Sequence, residues 1–344
     1  MKNKLKYISI CIICSFFLII TLYGISYRLN NNPNGFVRLF PPHKITPQSH
    51  LDIRYNSYYI AGFSNRNIYL ANFNSPYLLL QVDSALLNSR LIEIPWIDTF
   101  KIFKGSLISV DSPFVYLRDG RNRTVLKTQF PLFSKTTASK TLPFTASIKL
   151  NNSSFILRIS DKNQVNQLCK QSGSMKIHRP KYALLESQGN GFFSTDGILI
   201  KTPNSSKIIY IYFYRNQFVV SDSMLNLLYR GKTIDTTSHA QIKVSKLISE
   251  HKITLSSPPL LVNRLACATN SYLLINSSLI ANNEDNRHSK NSSTIDVYAI
   301  RDGKYLFSFY LPDFGGKKIR DLEIYGSNLV AIYDHYICTY RLHF

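Results

Sequence analysis

The sequence predicts an all-β fold, a six-bladed β-propeller, preceded by one N-terminal transmembrane helix. Three observations carry that reading. A single uncharged run, YISICIICSFFLIITLYGISY at 7–27, stands near the start of the chain. Beyond Arg28, short runs rich in Ile, Val, Leu, Tyr and Phe alternate with Asn, Ser, Asp, Gly and Pro, which are strand and turn signals. Those runs gather into six groups of about four that close in similar ways.

At about 1.5 Å per helical residue, the run 7–27 reaches roughly 31 Å, enough for a bilayer core of about 30 Å. Lys2, Lys4 and Lys6 precede it and only Arg28 follows closely. That asymmetry makes residues 1–6 a cytoplasmic basic tail and sends the remainder across the membrane. Gly24 and Ser26 offer the alternative of signal cleavage and secretion. Residues 28–35 read as a linker and 36–344 as the propeller.

The groups follow in order. YYIAGF, NIYLANF, YLLLQVD and RLIEIP fill 58–95, and LISVD, FVYLRDG and RTVLKTQF fill 107–130. A weaker group around FILRIS spans 144–184. GILIK, KIIYIYFYR, QFVVSD and LLYRGKTID occupy 197–235, and PLLVNRLACA, SYLLINSSL, STIDVYAIRDG and KYLFSFYL occupy 259–311. RDLEIYGSNLVAIYDHYICTYRLHF supplies three strands, and FVRLF at 36–40 is the expected fourth, closing the ring and removing an exposed edge. QVDSALLNSRLIEI at 81–94 parallels VSDSMLNLLYRGKTI at 220–234. The segment 281–293 reads as a projecting loop of the fifth blade. Two β-sandwich domains are the competing architecture.

On these runs the chain resembles six-bladed propellers of the TolB-like and NHL-like kind over 36–344. YIYFYRNQF, LNLLYRGKTIDTTSHA and LVAIYDHYICTYRLHF further resemble a group of uncharacterised exported proteins from Bacteroidota. The resemblance implies an inner-membrane, single-pass protein with its propeller in the periplasm, and it implies no activity.

No motif of high specificity is present: G-x-S-x-G, H-E-x-x-H, a Walker A loop and an EF-hand loop are all missing from the sequence. Asp119, Asp196, Asp222, Asp302 and Asp334 are the candidate acids, several of which follow an apolar strand. Brought together near the axis they could hold Ca²⁺, with Asp196 and Asp222 the first candidates; taken singly, each would cap a turn. Asp334 and His335 adjoin, but neighbours on a strand face opposite ways, so a tight turn is expected there rather than a dyad. In KIIYIYFYRNQFVV, Arg215 and Asn216 end an apolar strand, where a guanidinium could take a carboxylate or stack on neighbouring rings. Arg-Asp-Gly occurs at 118–120 and again at 301–303, as turn punctuation between strands.

Cys11 and Cys14 fall inside the apolar run; Cys169, Cys267 and Cys338 are scattered, and no disulfide is assigned. The formal net charge is +21, and discounting Lys2, Lys4, Lys6 and Arg28 leaves about +17 on the exported part. Such a field favours anionic partners: an acidic protein or peptide, an acidic polysaccharide or lipid headgroups. No nucleic-acid recognition motif accompanies it. The expected function is a tethered scaffold that binds a protein, peptide or anionic ligand without a cofactor. A Ca²⁺-dependent propeller hydrolase or lyase and an envelope glycan-binding module are the alternatives.

Overall fold

The computed structural model describes the chain except for residues 1, 31–33, 97–101, 104, 134, 152, 163, 174–175, 181, 190 and 248–251. Helix α1 spans Lys2–Asn30. Its described side chains, Tyr7 and those from Ile10 to Ile25, all face outward from the protein. The stretch from Ile10 to Ile25 is about 24 Å of helix. Among the described residues no helix is long and apolar enough to cross a membrane.

Strand β1 is Ile45–Asp52. The first blade comprises β2 (Tyr58–Ser64), β3 (Asn67–Asn72), β4 (Ser75–Asp83) and β5 (Ser89–Glu93). The second comprises β6 (Leu107–Asp111), β7 (Phe114–Asp119), β8 (Thr124–Gln129) and β9 (Thr137–Lys140). The third comprises β10 (Ala146–Asn151), β11 (Ser154–Ser160), β12 (Asn166–Ser172) and β13 (Lys176–His178). After the one-turn α2 (Gly191–Ser194) come β14 (Gly197–Lys201), β15 (Lys207–Tyr212), β16 (Gln217–Asp222) and β17 (Leu227–Lys232). A separate hairpin, β18 (Val244–Leu247) with β19 (Lys252–Leu255), follows the fourth blade. The fifth blade comprises β20 (Asn263–Ala268), β21 (Tyr272–Ser277), β22 (Ser292–Ala299) and β23 (Tyr305–Pro312), with α3 (Asn286–Asn291) between β21 and β22. The last strands are β24 (Ile319–Tyr325), β25 (Asn328–Tyr333) and β26 (Tyr336–Leu342).

Each blade is an antiparallel meander whose first strand lies innermost: β2 meets β6 and β24, β14 meets β10 and β20, and β20 meets β24. Second strands such as β15, β21 and β25 are buried at five consecutive positions, because a neighbouring blade covers each side. One apolar cluster fills each of the six seams. The seam between the last blade and the first joins Val330, Ile332 and Ile337 to Tyr58, Ile68 and Leu70. The chain is a six-bladed β-propeller.

The ring closes by a different strand from the one expected. β1, ITPQSHLD, pairs with β26 from Ile45↔Leu342 to Asp52↔Tyr336 and is the outermost strand of the sixth blade. An outermost strand needs only one covered face, so a mostly polar segment suffices. FVRLF instead forms a strap across the fifth blade. The backbone NH of Ser308 donates to the carbonyl of Leu39 at 2.7 Å, and the strap's Arg38 is buried. The supposed projecting loop 281–293 is in fact the strap's seat: Asn283 and the buried side chain of Glu284 both bond Arg38.

The two Arg-Asp-Gly copies occupy different turns. Asp119-Gly120 joins the second and third strands of its blade, whereas Asp302-Gly303 joins the third and fourth. They therefore lie on opposite faces of the ring. Gly303 has φ +73°, the left-handed conformation that favours glycine, while a Cβ on Gly120 would stand 2.0 Å from the carbonyl oxygen of Phe144.

Candidate functional site

The propeller has an entry face, where the innermost strands begin and where the second and third strands of each blade turn. Seven residues from three blades line an open cavity of about 360 Å³ on that face. Phe213 and Tyr214 come from the turn after β15, Leu261, Arg264 and Leu265 from the start of β20, and Ile319 and Arg320 from the start of β24. The turn after β15 is held in place because the carbonyl of Phe213 accepts from the backbone NH groups of Val262 and Asn263, at 2.8 and 3.1 Å.

Among the described residues its lining holds two cations and no carboxylate. Arg264 is exposed, and among the described residues neither Arg264 nor Arg320 forms an ion pair. Nε of Arg320 donates to the carbonyl of Asp334 at 2.9 Å, which fixes the guanidinium plane, while its Nη2 is buried without a partner. Burial pulls the Arg320 guanidinium below its usual range, against Asp321 and Asp334, which raise it. It remains a cation, one that a bound anion would relieve. Tyr214 is held protonated, its phenol pushed up by burial and by Asp196, so it can donate a hydrogen bond. Two guanidiniums, a phenol and an apolar wall suit an anionic group attached to an apolar body.

Arg215 is 0 % exposed and does not reach this cavity. Its Nη2 donates to the carbonyl of Glu186 at 2.7 Å and its Nη1 to that of Ser194 at 3.3 Å, with the guanidinium 3.6 Å from the centre of the Tyr212 ring. Of the two readings of this residue, a carboxylate or a neighbouring ring, the fold shows the ring, with backbone carbonyls added. Asn216 is buried too and donates from Nδ2 to the carbonyl of Asp235 at 2.6 Å. Phe213 and Tyr214, the residues just before this pair, reach the site instead.

Asp196 and Asp222 are not brought together. The carbonyl of Asp196 accepts from Phe213, just past one end of β15, whereas Asp222 pairs with Lys207 at the other end, about 20 Å away at 3.3 Å per residue. The Asp196 carboxylate is paired with Arg158. The Asp222 carboxylate accepts from the backbone NH groups of Met224 and Asn226, at 2.8 and 2.9 Å. Among the described residues no group of three or more His, Cys, Asp or Glu could hold a metal. Asp334 and His335 form the turn between β25 and β26, and His335 Nδ1 lies 2.9 Å from Oδ1 of Asp52 on β1. The imidazole thus serves the ring closure rather than its sequence neighbour.

A second charged group lies near the far end of the innermost strands. Lys149 of β10 pairs with Asp111 of β6, and Lys201 of β14 donates to Ser205 Oγ at 2.6 Å. Burial, and then Lys149, pull the Lys201 ammonium down, while Asp111 and Glu323 oppose them. Burial and Asp321 push the Glu323 carboxyl on β24 up to about 8. Residues of four blades thus converge on this throat. Their trace in the sequence was a charged residue late in each first strand: LISVD, SIKL, GILIK and DLEIY. Cys169, Cys267 and Cys338 are buried free thiols, pushed up by burial and therefore unreactive.

No protein-family model and no curated protein matches the chain. Solved structures do. A Bacteroides fragilis protein inferred to be exported superposes with a TM-score of 0.54 at 11% identity, over 89% of this chain and 98% of that one. A DUF4221 family member from Bacteroides vulgatus gives 0.51 at 12%, over 87% and 97%. An inactive virginiamycin B lyase from Staphylococcus aureus, solved with quinupristin, gives 0.50 at 9%, over 87% and 100%. At these identities the likeness is one of fold.

Proposed function

We propose that this propeller is a binding scaffold tethered to a membrane on its extracytoplasmic side, and that its entry-face cavity takes the anionic group of a partner. The carrying observation is the pair Arg264 and Arg320, two cations lining one cavity that form no ion pair among the described residues. The charge of about +17 on the exported part supports it by drawing anions to the protein over distances set by ionic strength. The tether is supported by the outward apolar side chains of α1 and by the three lysines that precede its apolar run. A periplasmic location agrees with both.

Citrate, a soluble polyanion, is a suitable probe. Ligand that binds only folded protein raises the melting temperature. Citrate is expected to raise that of the full chain and to lose this effect in Arg264→Glu; an equal rise in both proteins would refute the cavity as the site. A Ca²⁺-assisted hydrolase or lyase is the competing proposal, and it would need donors other than Asp196 joined to Asp222. Aromatic glycan binding is a third.

A further inference from the structure

We infer that the strap turns the Arg264–Arg320 cavity toward the bilayer, and that the anion it takes is the phosphate of a phospholipid headgroup. This rests on the proposed membrane tether and deepens it. The strap begins on the entry face: Asn34 Nδ2 donates to the carbonyl of Ile280 at 2.7 Å, and Thr236 Oγ1 donates to the carbonyl of Asn34 at 2.7 Å. Ile280 lies in the connection between β21 and β22, and Thr236 just after β17, both on that face. The strap is then locked by Arg38 between Asp296 and Glu284. From Asn30, where α1 ends, to Asn34 the chain can span at most about 14 Å. A helix inserted in a bilayer must therefore leave it close to the entry face. The far face lies a strand length further off, about 20 Å.

The entry face suits that neighbour. Arg54, Arg121, Lys162 and Lys317 are exposed in its turns and connections, with Tyr55 and Phe73 among them. Cations near an anionic leaflet and aromatic rings at headgroup level are the side chains that favour such a surface. The cavity between them presents guanidiniums, which match phosphate geometry.

The test uses the full chain with Cys11→Ser and Cys14→Ser, reconstituted into vesicles whose headgroups carry a quencher. A fluorophore is placed at Lys162→Cys on the entry face or at Lys304→Cys on the far face. Several-fold stronger quenching at position 162 is expected in vesicles containing phosphatidylglycerol, with the difference reduced in pure phosphatidylcholine and by Arg264→Glu. Equal quenching at both positions in protein that resists alkaline extraction would overturn the orientation while leaving the tether standing. Release by alkaline extraction would instead overturn the tether, and this inference with it. Orientation indifferent to phosphatidylglycerol, with inorganic phosphate or an acidic peptide protecting Arg264 from arginine-specific modification equally well in either lipid, would overturn the headgroup as ligand.

Discussion

Arg38 holds Asp296 through two parallel hydrogen bonds, Nε to Oδ1 at 2.7 Å and Nη2 to Oδ2 at 3.0 Å. All three side chains of the Arg38, Asp296 and Glu284 group are at most 2 % exposed. Burial alone would lower the proton affinity of Arg38, but the two carboxylates outweigh it and hold the guanidinium above its usual range. Removing the cation would leave two buried carboxylates uncompensated.

Arg38→Met should therefore cost about 3–5 kcal/mol, as breaking a buried pair from one side does. Adding Asp296→Asn and Glu284→Gln should recover part of that loss. Denaturant unfolding of the single and triple variants measures both; a single variant within error of the parent would mean the strap is loosely held.

Gly303→Val should harm folding and Asp302→Asn should not. A non-glycine residue at φ +73° costs about 1–3 kcal/mol in the backbone alone, and a Cβ there would stand 2.8 Å from Cε2 of Tyr229. The Asp302 carboxylate accepts a long bond from the NH of Lys304 at 3.2 Å and otherwise makes only exposed ion pairs, with Arg301 and Lys304 at 3.5 and 3.9 Å, which contribute little. Thermal melts of the two variants should separate clearly.

Asp222→Ala should lower stability by about 1 kcal/mol, the scale of side-chain hydrogen bonds lost from a turn, and leave citrate binding unchanged. Asp83 caps a similar turn, one residue longer, in the first blade, accepting from the NH groups of Leu87 and Asn88, each at 2.9 Å. A selective loss of binding in well-folded Asp222→Ala protein would return Asp222 to the list of ligand contacts.

Glu323 should make stability fall as pH rises. Its carboxyl, ordinarily near 4.5, is pushed up to about 8 in the fold. Between those values the native state binds more protons than the unfolded one, so the slope of unfolding free energy with pH is negative there and vanishes above. Glu323→Gln should remove that slope and stabilise the protein near pH 8.5. The gain should be on the order of 1–2 kcal/mol, discounted because solvent reaches the carboxyl. Unfolding titrations at pH 5.5 and 8.5 give the sign directly.

The architecture was legible because second and third strands, pressed between blades, must be continuously apolar: KIIYIY, NLVAIY and YLLINS announce themselves. The outer strands do not. TASK at 137–140 is exposed at every position and ITPQSHLD is mostly so, which is why the fourth strand of the second blade and the closing strand escaped notice. FVRLF looked like a strand because it is apolar, yet it is a strap whose arginine is satisfied by carboxylates some 250 positions along the chain. For the site, sequence pointed to the turn after β15 but to Arg215 within it. Arg264 and Arg320 are separated in sequence and converge only when the fifth and sixth blades dock. The throat carboxylates were hidden for the same reason, since nothing local shows that first strands share an axis.

The most direct test of the anion-binding cavity is an experimental structure of the full chain with citrate at saturation. The account expects a citrate carboxylate within hydrogen-bond distance of the Arg264 or Arg320 guanidinium, with the apolar wall of Phe213 and Leu261 beside it. An unoccupied cavity at saturating citrate, or citrate bound elsewhere on the ring alone, would contradict it.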